Sequence, residues 1–181
     1  MEYSFNIREI QEEDITPIVT YWNTVSDEHL ALMGVPKEAL HRYTNLGPFL
    51  KKQLDLAYDQ KTALFMIGLL DDQPYGHCYV NNIQFGKEAH MHLHVWASKS
   101  RKKGLGSAMV ERAIPHFFKK LHLETLICEP YTLNPAPNRT LEHLGFEFKK
   151  SYKTTPSGWN FELQLNRWEL TRTALNIHFT E

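Results

Sequence analysis

The stretch Arg101-Lys102-Lys103-Gly104-Leu105-Gly106-Ser107-Ala108 decides how this sequence is read. Before it, Met91, Leu93 and Val95 alternate with polar residues up to Trp96, which predicts a strand. After it, Met109, Ala113 and Phe117 recur at helical spacing. A strand that turns through glycines into a helix leaves the first N–H groups of that helix without intrahelical acceptors. The helix dipole adds partial positive charge at the same end, so the turn is an anion site. Three cations at its mouth make a phosphate-bearing ligand the natural occupant.

Two familiar phosphate motifs fail on spacing. A dinucleotide fingerprint needs a glycine three residues after Gly106, where the chain has Met109, and no P-loop string occurs. The pattern Arg-x-x-Gly-x-Gly after a strand resembles the pyrophosphate loop of the GNAT N-acetyltransferases, which holds acetyl-coenzyme A (acetyl-CoA). A basic, solvated turn before a surface helix is the alternative reading of the same residues. A second match lies downstream: Leu126-Ile127-Cys128-Glu129, then Asn134, then Leu144-Gly145-Phe146. It resembles the family's later strand, the Asn that begins a short helix, and the Leu-Gly-Phe that ends it. Leu141 and Leu144 share a helix face, and Gly145 suits a left-handed helix end. Ile7-Arg8-Glu9-Ile10, followed by Glu13-Asp14-Ile15, resembles the family's first strand and helix. Asn134 stands eleven residues before Gly145, and Trp168-Glu169-Leu170 closes the match. These details are similar to the RimJ/RimL-like branch, the ribosomal-protein N-terminal acetyltransferases.

The resemblance covers residues 3 to 170 and implies an α/β (α+β) fold. Its mixed, mostly antiparallel central sheet would carry helices on both faces, with two strands splayed at the acetyl-CoA site. It implies one acetyltransferase domain over 1–170, leaving the polar residues 171–181 as a C-terminal tail. The backbone of Val95, Trp96 and Ala97 would pair with the pantetheine arm. Arg101, Lys102, Lys103, Gly104, Leu105, Gly106 and Ser107 would take the phosphates, with Gly104 and Gly106 clearing the backbone's approach. Asn134 matches the Asn that contacts the cofactor from the other side, and Asn138 is placed with it.

Composition is consistent with this reading. At 181 residues the chain suits one domain, and a formal net charge of -1 argues against a nucleic-acid partner. Cys78 and Cys128 fall in strand-like runs and read as small buried hydrophobes of a reducing compartment. Acidic and basic residues interrupt the first fourteen positions, so no signal peptide is expected, and no apolar run reaches membrane-span length. The expected location is cytoplasmic, the expected partner a small-molecule or peptide amine, and the expected assembly a monomer or homodimer.

Periodicity predicts strands at 3–10, 62–70, 75–85, 89–97, 123–129, 146–154 and 160–170. It predicts helices at 13–25, 37–44, 48–59, 105–120 and 136–144, with Pro115 kinking or shortening the fourth. Acetyl transfer also needs a neutral amine and a stabilised thiolate. Where the family often carries a Glu base, this chain has His90, His92 and His94 alternating on one strand face. His90 or His92 is the expected base, with Glu88 and Glu129 as carboxylate candidates; a polar face of hydrogen-bonded histidines is the alternative. No third ligand accompanies the histidines, so no metal is expected.

The family's usual acid, a Tyr three residues before the Leu-Gly-Phe glycine, is replaced by Glu142, and the branch's Ser three residues after the Asn by Pro137. Tyr131 and Asn138 are the nearby substitutes. Loss of the acid leaves a non-catalytic acyl-CoA-binding regulatory protein as the rival to an enzyme. Neutralising a lysine amine at pH 7 costs roughly 4–5 kcal/mol and an α-amine about 1, which favours an N-terminus or small amine as acceptor. Asn23 to Leu56, with His29, His41, Arg42, Tyr43 and Phe49, is where the family builds its acceptor wall; Tyr152, Trp159 and Phe161 are further aromatic candidates.

Overall fold

A computed structural model describes residues 4–38, 40, 44–96, 104–155 and 162–178. Seven strands form one sheet in the order β1-β2-β3-β4-β5-β7-β6. They are β1 (Phe5–Glu9), β2 (Ala63–Leu70), β3 (Gln73–Gln84), β4 (Glu88–Val95), β5 (Thr125–Cys128), β6 (Glu147–Thr154) and β7 (Leu163–Thr171). Only β4 and β5 pair in parallel; every other neighbour is antiparallel. This is the mixed, mostly antiparallel sheet that the resemblance implied.

The unbroken apolar run of β2 follows from burial on both faces. Leu64 and Met66 meet Met109, Phe117 and Val80 on one side, while Phe65 and Ile67 meet Ile18, Trp22 and Leu50 on the other. The first side is covered by α4 (Leu105–Leu121) and the second by α1 (Ile15–Thr24) and α3 (Leu46–Asp55). Asp71 and Asp72 carry φ of 49° and 61°, the mirror-type turn that matches hairpin twist between β2 and β3. At the entry to α1, Arg8 grips the buried Asp14 through both guanidinium amines.

Three helical expectations change. A helix at 27–33 escaped the periodicity reading: α2 (Asp27–Met33) is capped by Ser26, whose side chain accepts from the His29 N–H, and closed by left-handed Gly34. The helix expected over 48–59 runs from Leu46 to Asp55, and that expected over 37–44 lies partly outside the described residues. α4 is not shortened at Pro115, because Pro115 and Glu111, whose carbonyl loses its donor, both lie on the solvent face.

The segment read as a tail also needs correcting. Residues Arg172–His178 form α6 rather than trailing from β7. Leu175 is buried in the α4-side core, and Arg172 Nη2 donates to the Phe118 carbonyl at 3.0 Å. Ala174 packs beside Leu175, so a segment whose polar composition concealed it is docked on the core. The far edge of the sheet is β6, most of whose residues are exposed and which carries Lys149, Lys150 and Lys153. Among the described residues no helix is long and apolar enough to cross a membrane.

Candidate active site

β4 and β5 stay paired only from Glu88↔Thr125 to His90↔Ile127. Beyond that point β4 continues to Val95 with β3 on one side and no described strand on the other. The expected splay is therefore present, and it exposes a strand edge of the kind that an extended ligand can complete. α4 begins beside it. Its first intrahelical bond is donated by the Ala108 N–H to Gly104 O at 3.0 Å, so Leu105, Gly106 and Ser107 offer N–H groups without intrahelical acceptors.

The two glycines serve different ends. Gly104 has φ +75°, and a Cβ there would meet no described residue within 4 Å, so its need is conformational. At Gly106 a Cβ would sit 3.2 Å from Leu93 Cδ2, so that glycine lets the helix press onto β4. A glycine-turned helix start beside a strand edge that no described strand pairs with fits a nucleotide-bearing thioester with an extended arm. Of the residues assigned to that ligand, Ala97, Arg101, Lys102 and Lys103 lie outside the described residues.

On the opposite face of β4 the three histidines point the same way into different surroundings. His90 Nδ1 lies 3.3 Å from Glu129 Oε2, directly after β5. Glu129 Oε1 also accepts from Tyr152 Oη at 2.7 Å and Arg167 Nη1 at 3.2 Å. Burial alone would push the Glu129 carboxyl up, but the hydrogen bonds from His90 and Tyr152 and the nearby charges bring it down to about 2. Glu129 is therefore an anion at neutral pH and a poor proton acceptor. Tyr152 is moved the other way, to about 12, by burial and by the carboxylate it binds.

His92 stacks on Tyr79 (ring centroids 4.7 Å apart, planes 22° apart), and its Nε2 lies 3.0 Å from Asn81 Oδ1. Burial, with His90 beside it, lowers its pKa to about 4, so the ring stays neutral at pH 7. His94 is buried, with Nδ1 3.2 Å from Tyr21 Oη and its ring 4.7 Å from that of Trp22. Next to it, His77 accepts from Trp96 Nε1 at 2.7 Å through Nδ1, while its buried Nε2 has no partner among the described residues. The sequence reading brought His90, His92 and Glu129 together, as the structure does. It missed Arg167, Asn81 and the His77 contact, which only the strand register supplies.

A pocket of about 410 Å³ opens on this histidine face. α1 contributes Trp22, the start of α3 Leu46 and Phe49 with Asn45 before it, β2 Ala63 and Phe65, and β3 Tyr79 and Asn81. Of the expected wall residues, Phe49 lines it and His41, Arg42 and Tyr43 lie outside the described residues, as do Trp159 and Phe161. Tyr152 belongs to Glu129 instead.

Asn134 stands before Pro135, the first residue of α5 (Pro135–His143), and Gly145 closes it at φ 80°. Asn138 is fully engaged inside the protein. Its Nδ2 donates to the Tyr131 and Asn134 carbonyls at 3.3 and 2.8 Å, and its Oδ1 accepts from Trp168 Nε1 and Asn166 Nδ2, both at 2.9 Å. An amide so used ties the Tyr131–Asn134 loop to β7. Both cysteines are raised, Cys128 to about 12 and Cys78 well above its ordinary value, first by burial, so neither thiol ionises at neutral pH. Among the described residues no cluster of metal-ligating side chains occurs.

Comparison with known proteins agrees with the geometry. No curated protein sequence matches the chain. Among solved structures, RimL, a ribosomal L7/L12 alpha-N-protein acetyltransferase in complex with coenzyme A, superposes with a TM-score of 0.72 at 12% identity, covering 94% of this chain and 96% of that one. The aminoglycoside acetyltransferase AAC(6')-Ib, bound to coenzyme A and kanamycin, gives 0.71 at 17% identity over 96% and 98%. Spermidine N-acetyltransferase from Vibrio cholerae, with coenzyme A and spermine, gives 0.73 at 14% identity over 94% and 96%. At these identities the likeness is one of fold. The acetyltransferase (GNAT) domain family matches residues 5–147, most of the chain, and the chain belongs to that family of acetyltransferases.

Proposed function

We propose that this chain is an N-acetyltransferase that moves an acetyl group from acetyl-CoA directly to a primary amine, with His90 as the base. The observation that carries the reading is the His90–Glu129 pair beside the splay of β4 and β5. With Nδ1–H donated to an ionised Glu129, the tautomer of His90 leaves Nε2 with a lone pair to accept a proton. His92 is a weaker candidate, since its depressed pKa of about 4 makes it a poor base. Glu129, at about 2, orients and supports His90 rather than taking the proton itself.

Acetyl-CoA, when bound, supplies an activated acetyl carbonyl. The backbone of Val95, Trp96 and Ala97 holds its extended arm in the splay. Arg101, Lys102 and Lys103, with the N–H groups from Gly104 to Ser107, hold its phosphates. Asn134 closes the site from α5, and Asn138 braces the loop that carries it. The acceptor nitrogen attacks the carbonyl carbon. The C–N bond forms as the C–S bond breaks with its electron pair left on sulfur, and His90 Nε2 takes the proton lost by the amine. Tyr152, at about 12 and bound to Glu129, does not protonate the thiolate. The thiolate leaves without a dedicated side-chain acid, and its stabilisation falls to backbone N–H groups at the sulfur end of the splay.

The acceptor is a peptide N-terminus or a small amine, and the RimJ/RimL-like branch, acting in the cytoplasm, is the preferred assignment. Calorimetric titration of acetyl-CoA, followed by thiol release against an amine panel, tests this. One-site binding with amine-dependent thiol release is expected. Binding without release from any amine would leave the acyl-CoA-binding regulator in its place. That outcome would give Glu142 and Pro137, which stand where the family's acids are found, their meaning as a loss of catalysis.

A further inference from the structure

Three flat rings stack face to face across the sheet toward the proposed base. Phe65 on β2 stacks on Tyr79 on β3 at 4.6 Å and 8° between planes, and Tyr79 stacks on His92 at 4.7 Å and 22°. Each stack joins direct cross-strand partners, Phe65↔Tyr79 and Tyr79↔His92. Phe65, Tyr79, Trp22 and Phe49 give the pocket its aromatic lining, and Asn81 part of its polar lining. Asn81 is also the cross-strand partner of His90. The pocket thus ends about one strand spacing, roughly 5 Å, from the imidazole that takes the proton.

The lining carries four aromatic rings and two asparagine amides, and among the described residues no carboxylate. The nearby Glu129 is already committed to His90, Tyr152 and Arg167. A polyamine or aminosugar would have to desolvate further ammonium groups with no anion to meet them, which is strongly unfavourable. A flat apolar group would pack against this aromatic lining and drive water out. Building on the acetyltransferase reading above, we infer that the acceptor is a primary amine joined by a short spacer to an aromatic ring. Either a small arylalkylamine or a polypeptide beginning with an aromatic residue presents that chemistry.

The test is thiol release at saturating acetyl-CoA with 2-phenylethylamine, the tripeptide amide Phe-Ala-Ala, n-propylamine and spermidine. The aryl-bearing amines are expected to exceed propylamine in kcat/KM by about 10- to 100-fold, the gain from burying a phenyl-sized group. The better of the two aryl substrates identifies the source, and either result upholds the inference. Phe49→Ala, at a position 38% exposed and so tolerant of truncation, should narrow the aryl-to-propyl ratio about tenfold while acetyl-CoA titration stays saturable. A preference for spermidine, or equal rates for the aryl and propyl amines, would overturn the inference and leave acetyl transfer standing. If no amine releases thiol, the acetyltransferase reading fails instead. Calorimetric binding of 2-phenylethylamine, lost in Phe49→Ala, would then still uphold the aromatic site, and no binding would overturn it.

Discussion

His90 and His94 lie four residues apart on one face of one strand, yet the molecule gives them opposite surroundings. His90 leans on a carboxylate at the mouth of the splay and keeps its outer nitrogen available. His94 is sealed under α1 against Tyr21, Trp22 and His77. The strand supplies the direction of each ring, and what covers it decides between chemistry and packing. Identical residues at identical pleat positions therefore do not share a role.

The largest expected effect separates the two outright. His90→Ala should lower kcat by about 10²–10³-fold with little change in acetyl-CoA affinity, the range for a lost general base. His94→Ala should instead lower the thermal midpoint by several degrees and leave kcat within about threefold. Steady-state kinetics beside thermal melts read both, and a swapped pattern would dissolve the contrast. Glu129→Gln comes next. An amide still accepts from His90 but no longer stabilises its charged form, so kcat should fall about 10- to 100-fold while KM for the acceptor moves little. Equal losses in kcat and in folded stability would make Glu129 a structural ion-pair partner only.

The smallest effect concerns the sealed end in acid. Burial holds His77 near 3 and His92 near 4, both below the ordinary 6.5, so the unfolded chain binds those protons more readily. Stability is present in full above about pH 6.5 and is lost as pH falls toward 3. Glu129, held at about 2 against 4.5, adds loss between those two values. Urea midpoints at pH 5 should lie below those at pH 7 by an amount worth on the order of 1–2 kcal/mol per histidine. His77→Leu should start lower at pH 7, since Trp96 loses an acceptor, but decline less steeply. An unchanged slope would show that His77 is hydrated rather than sealed.

The sequence made the helix start at Gly104, the Gly145 turn and the histidine face readable because each is a local pattern within a dozen residues. Gly34 and Ser26 carried equally local signals for α2, passed over amid the breaks around Pro36. The partners of Glu129 could not be read that way. Tyr152 and Arg167 arrive from 23 and 38 residues downstream, and only the β6–β7 register turns them inward. The pocket is assembled from two helices and two strands, so no single window of sequence contains it. α6 stayed hidden because, among its described side chains, only Ala174 and Leu175 reach the core, amid mostly polar sequence.

The lysines of β6 bear on how copies of this protein meet. An edge strand offers unpaired backbone groups to any passing strand, the usual route to runaway association. Two β6 strands brought together would set Lys149, Lys150 and Lys153 of each copy against those of the other, and like charges across a ladder repel. The exposed end of the sheet is in effect terminated by charge.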